Sequence, residues 1–126
     1  MSTVELTSGN FDEVIQGPDG DGKSFVLIDF WAGWCGPCVR FAPVYDKAAE
    51  RHPDLVFAKV DTEAQQELAA AFGIQSIPTL AVIRDGVLVF SQAGALPEAS
   101  LEQLITQARA LDMDEVRAKV AAATEA

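Results

Sequence analysis

The sequence predicts an α/β fold whose sheet is mixed, with a parallel βαβ unit followed by an antiparallel hairpin. Three observations carry it. Two nearly continuous runs of apolar and β-branched residues, Phe25–Phe30 and Leu55–Val60, are each followed by apolar residues at helical spacing, and strand, helix, strand, helix implies parallel pairing. Asp85-Gly86 stands between the runs Thr79–Arg84 and Val87–Ser91, the strongest short signal for an antiparallel hairpin. Leu101, Leu104, Ile105 and Ala108 then form a stripe suited to covering a sheet.

Taken in order, the chain first offers Thr7 or Ser8 as the N-cap of a short helix with Phe11, Val14 and Ile15 on one face. Gly17–Gly22 is dense in turn formers and reads as an exposed loop. Phe25–Phe30 is a central strand with one anomaly, the charged Asp29. From Gly36 to about Arg51 a helix is predicted from Val39, Phe41, Ala42, Val44, Tyr45 and Ala48, with a kink near Ala42 because Pro43 falls inside it. Leu55–Val60 is the next buried strand, and Lys59 within it either snorkels to solvent or pairs with Asp29. An alanine-rich helix is expected over Glu63–Phe72, closed by Gly73 at C′. Ile74–Ile77 leads into Pro78 and the hairpin, and Pro97 suits the start of the last large helix. Asp112–Glu115 has the form of a capping box, so Val116 and Val120 belong to a continuation or to a separate short helix.

The 126 residues suit one domain, and a 49% hydrophobic fraction suffices for its core. A formal charge of -10 argues against nucleic acid, whose phosphates are bound by Lys and Arg clusters. With neither a basic leader nor a run of about eighteen apolar residues, the chain is expected to be soluble, cytoplasmic and free of the membrane. Two cysteines exclude the disulfide-dense secreted class.

Both cysteines and both tryptophans lie in Trp31-Ala32-Gly33-Trp34-Cys35-Gly36-Pro37-Cys38. Two cysteines at this spacing serve redox chemistry, a metal or a haem. A structural zinc needs four ligands, and this chain offers two cysteines and the distant His52; covalent haem needs His where Val39 stands. No metal is therefore expected within one chain, although two chains could supply four thiolates to an iron–sulfur cluster. For redox chemistry, Cys35 lies at the mouth of a helix, where free N–H groups and the dipole favour thiolate, the attacking form. Cys38 is one turn deeper, placed to resolve a mixed disulfide. Gly36 permits a sharp turn, and Pro37 lacks the N–H that an early helical position would leave unpaired. Asp29, if buried, should have a raised pKa and could accept or return the proton of Cys38. Trp31 suits the core, whereas Trp34 could offer clients a flat apolar surface, and Pro78 could be cis.

Trp34-Cys35-Gly36-Pro37-Cys38 after a strand ending Asp29-Phe30-Trp31, followed by Ile77-Pro78-Thr79 and a late Gly94, resembles the thioredoxin family over Val4–Leu111. The resemblance implies a mixed sheet flanked by helices on both faces. It implies a protein-disulfide reductase with an exposed attacking Cys35, a resolving Cys38, and Asp29 and Lys59 as a buried charged pair. Pro78 would be cis and face the disulfide, and Trp34, Ile77, Pro78 and Gly94 would bind clients. The implied partners are a thioredoxin reductase as electron donor and disulfide-containing proteins, the protein acting as a monomer with no cofactor beyond its own disulfide. Three features depart from the family pattern: Val39, where Lys or Arg is frequent, with Arg40 next; a slightly long Gly17–Lys23 loop; and an extension. Residues 1–111 are thus expected to form the domain and 112–126 a helical extension. A non-catalytic binding module of the same fold is the alternative from another class, and an oxidant or isomerase the alternative within the enzymes.

Overall fold

In the computed structural model, which describes residues 3–125 and side chains through 123, the chain runs β1 (Thr3–Glu5), α1 (Phe11–Gln16), β2 (Phe25–Trp31), α2 (Gly36–Arg51), β3 (Val56–Asp61), α3 (Gln66–Ala71), β4 (Thr79–Arg84), β5 (Val87–Ala93), α4 (Glu98–Arg109) and α5 (Met113–Glu125). The strand order is β1-β3-β2-β4-β5. β1, β3 and β2 are parallel, while β4 and β5 are antiparallel to their neighbours, so the expected mixed sheet is present.

Side chains alternate across the pleat, and this decides which helix each strand residue meets. Leu27 and Phe57 point to one face, with Phe41 and Tyr45 of α2 and Leu101 and Ile105 of α4. Val26, Ile28, Phe30, Ala58 and Val60 point to the other, against Leu68 of α3 and the half-buried Phe11 and Phe72. Each fully buried side chain of this size contributes roughly 1.5–3 kcal/mol from water exclusion, and both faces of β2 draw on that term. Helices therefore cover both faces, and the C-terminal ends of β2 and β3 open onto the same edge.

Several elements depart from the sequence reading for identifiable reasons. Asn10, rather than Thr7 or Ser8, is the residue before α1, because Thr7 builds a turn of its own: its N–H donates to Asn10 Oδ1 at 2.7 Å and its hydroxyl accepts from Gly9 N. α3 starts at Gln66 instead of Glu63, since Asp61 Oδ1 captures the N–H groups of Glu63 and Ala64 in a turn. α2 continues through Pro43, whose ring lies on the exposed face. The hairpin turn is as predicted, with positive φ at both Asp85 (52°) and Gly86 (80°), the pair of angles that favours Gly in the second place. β5 runs two residues past Ser91 to Ala93, and Val82 pairs with Phe90 but Ile83 with Leu88, which leaves Val89 as a bulge.

The C-terminal residues form a separate helix. Asp112 Oδ1 accepts from the N–H groups of Asp114 and Glu115, making the cap that the sequence suggested. α5 buries Met113 and joins the hairpin through Arg117, which bridges Asp85 at 3.2 Å and also pairs with Asp114. Arg117→Ala is expected to speed amide exchange throughout α5 while leaving the denaturation midpoint of the sheet unchanged; a shifted midpoint would make α5 part of the cooperative core. No helix among the described residues is long and apolar enough to cross a membrane.

Candidate active site

β2 ends at Trp31, and four residues later Cys35 becomes the N-cap of α2 with extended backbone (φ −88°, ψ 109°). Its N–H donates to Ala32 O at 3.2 Å, which fixes the loop, and its carbonyl accepts from Val39 N at 3.1 Å. Pro37 occupies the first turn, where no donor is lost. Cys35 and Cys38 form a disulfide with Cα atoms 5.3 Å apart. The Cys35 Sγ accepts the backbone N–H of Cys38 at 3.2 Å, so a helix-terminal donor that any Ncap side chain could take is given to sulfur. On reduction the same donor stabilises negative charge on Cys35.

The disulfide sits in a small cluster with Ala32, Trp31 and Ile77, and Cys35 Sγ lies 3.7 Å from the Ile77 carbonyl oxygen. Cys35 is 4% exposed and Cys38 2%. The expected exposed attacking thiol is thus nearly covered, with Trp31 and Ile77 packed against its cluster. Trp34, in contrast, is 72% exposed. Ile77-Pro78 is cis, as expected, and the segment is held from two sides: Thr79 Oγ1 donates to Ser76 O at 2.6 Å and Gly94 N donates to Pro78 O at 2.8 Å. Gly94 has φ +108°, a conformation that excludes most side chains. Gly36 has no positive φ, so the sharp turn attributed to it is ordinary helical backbone.

Asp29 lies on the face of β2 covered by α2, two residues after Leu27. It is 1% exposed, and neither carboxylate oxygen has a hydrogen-bond partner among the described residues. Burial pushes its pKa from 3.8 up to about 7, with Lys59 partly opposing and Asp46 of α2 adding to the rise. Lys59 is its register partner on β3. The two do not form the contact ion pair that was one expectation: the Lys59 stem is half-buried and its Nζ lies 5.2 Å from the Trp31 ring centroid. A long stem lets the ammonium reach a wetter position over an aromatic face, and the influence on Asp29 is through space.

Two features were not legible in the motif. Tyr45, read as an apolar helix residue, is fully buried and its hydroxyl donates to Ala58 O at 2.8 Å, tying α2 to β3 beneath the site. A groove of about 500 Å³ beside the disulfide is lined by Trp34, Thr62, Gln66, Ala69, Ile74 and Ile77 among others. Packing of α3 creates it, and no local spacing announces it. Among the described residues no group of three His, Cys, Asp or Glu could hold a metal ion.

The thioredoxin family model matches residues 2–107. The chain belongs to the thioredoxin family. A Streptomyces coelicolor protein provisionally named thioredoxin 2 is 66% identical over 120 residues, covering 95% of this chain and 86% of the relative. A Bacillus subtilis thioredoxin is 42% identical over 108 residues, 85% of this chain and 98% of that one. Among solved structures, a Plasmodium falciparum thioredoxin superposes with a TM-score of 0.72 at 35% identity, over 82% of this chain and 96% of the other. Like other thioredoxins, this protein is a thiol–disulfide oxidoreductase, with the Cys35–Cys38 pair as its redox centre.

Proposed function

We propose that this thioredoxin works as a reductant of protein disulfides, with Cys35 attacking and Cys38 resolving. The observation that carries the assignment is the Cys38 N–H aimed at Cys35 Sγ, because it favours thiolate at that sulfur. Cys35 thiolate attacks one sulfur of the client disulfide, forms a mixed disulfide and expels the first client thiolate. Cys38 then attacks Cys35 Sγ as its proton passes to a base, the intramolecular disulfide closes, and the second client thiolate leaves. Two electrons have moved to the client, and a thioredoxin reductase supplies two more to reduce the Cys35–Cys38 disulfide. Asp29 is the proposed proton acceptor for Cys38, since its ionisation near neutral pH and its position under α2 suit that role. Lys59 would tune it through space.

Trp34, Ile77, Pro78 and Gly94 form the proposed client surface, on the support that Ile77 packs against the disulfide, that the Gly94 N–H holds the Pro78 carbonyl beside it, and that Trp34, next to Cys35 in the chain, is exposed. The protein would act as a monomer in the cytoplasm, without a cofactor, as a domain of residues 1–111 carrying a helical extension of residues 112–126. Insulin-disulfide reduction coupled to a thioredoxin reductase tests the reading. Sustained turnover is expected, and its absence with the disulfide intact would favour a binding module instead.

A further inference from the structure

Gly36 stands between the two cysteines, and the space beside it is taken by Arg40. A Cβ at Gly36 would lie 3.3 Å from Arg40 Nη1 and 4.0 Å from Cζ. Since the Gly36 backbone is not left-handed, what glycine provides here is room for a guanidinium to fold back over the redox turn.

That guanidinium is uncommitted. Arg51, Arg109, Arg117 and Lys119 each pair with carboxylates, Arg84 donates to the carbonyls of Ala108 and Leu111, and Lys59 sits over Trp31, while Lys23 and Lys47, also without a side-chain partner among the described residues, lie on the loop before β2 and two turns further along α2. Among the described residues Arg40 has neither an ion pair nor a hydrogen bond, and it is exposed. Its neighbours at the rim are apolar and open, Trp34 and the 58% exposed Val39. The formal charge of -10 gives the molecule a field that disfavours acidic partners, so a single free cation on the turn that exchanges disulfides has a local effect out of proportion to its number.

We infer that Arg40 is a specificity-determining residue, selecting disulfide substrates that carry a carboxylate beside the reacting cysteine. The inference rests on the reductase reading above and names the substrate class for it. A guanidinium fork takes a carboxylate through two parallel N–H donors, which fixes orientation as well as adding attraction. The apolar rim would meanwhile cover the uncharged part of the client.

The test uses the full chain and three synthetic peptide disulfides, identical except for Glu, Gln or Lys next to the reacting cysteine. The readout is the ratio of kcat/KM for the Glu peptide to that for the Lys peptide. Arg40→Gln is expected to lower this ratio about threefold and Arg40→Glu about tenfold, the range of one exposed charge contact and its reversal, while Arg40→Lys retains most of it. The change should shrink at roughly 0.5 M salt, where screening is nearly complete over a few ångströms. An unchanged ratio in Arg40→Glu overturns the inference. So does an equal slowing of all three peptides, which would place the action of Arg40 on the Cys35 thiol rather than on the client. If the unaltered chain reduces none of the peptides, the reductase reading itself falls and takes this inference with it.

Discussion

Cys35→Ser is expected to abolish disulfide reduction, at least about 10³-fold, because the attacking nucleophile is lost. Cys38→Ser is expected to behave differently. The Cys38 backbone N–H that stabilises charge on Cys35 Sγ survives the substitution, so attack proceeds while resolution cannot. Mixed disulfides should accumulate at Cys35 and be isolable by gel shift under non-reducing conditions. Trapping by Cys35→Ser and none by Cys38→Ser would reverse the assigned roles.

The second large effect concerns stability against pH. Asp29 titrates near its ordinary value of 3.8 when unfolded and at about 7 when folded. Below the lower value both states hold the proton and Asp29 opposes nothing. Between about pH 4 and 7 the folded state binds more protons than the unfolded one, so stability falls as pH rises, and it levels out above the folded pKa. Asp29→Asn should remove this slope. At pH 8 the variant is expected to be roughly 2–4 kcal/mol more stable, the upper end set by the pKa shift and the lower by an amide left unpartnered in the same site. At pH 4 the advantage should vanish. Urea unfolding at the two pH values checks this, and an equal gain at both would mean that packing, not charge, distinguishes the variant. If Asp29 also takes the Cys38 proton, the inflection near pH 7 in the exchange rate should disappear in the same variant.

How far the sequence carries the structure depends on which physics decides each feature. Periodicity decided the sheet and its large helices: the two apolar runs became β2 and β3 in parallel, and Asp85-Gly86 closed the hairpin where predicted. Helix starts were less legible, since side chains that bind nearby backbone compete with the cap. Thr7 and Asp61 each diverted donors into turns, so α1 and α3 begin later than propensity alone suggests. In the site, the motif carried both cysteines, and the nearly continuous apolar run around Asp29 carried its burial. The nearly covered state of Cys35 was not readable, because Ile77 arrives from a loop forty-two positions away. Nor was the fate of Lys59, where the competition between a buried acid and an aromatic face depends on a few ångströms of stem.

α2 is fastened at its far end. Arg51 bridges Glu98 and Glu102 of α4, His52 Nε2 meets Glu102 at 2.8 Å, and Arg109 of α4 contacts both His52 Nδ1 and Asp54. The helix that carries the redox pair is thus clamped to the body sixteen residues from where the chemistry happens. Anchored there, α2 is expected to confine the change on opening or closing the Cys35–Cys38 bond to its first turn. A donor docking on the oxidised form and a client docking on the reduced form would then meet almost the same shape.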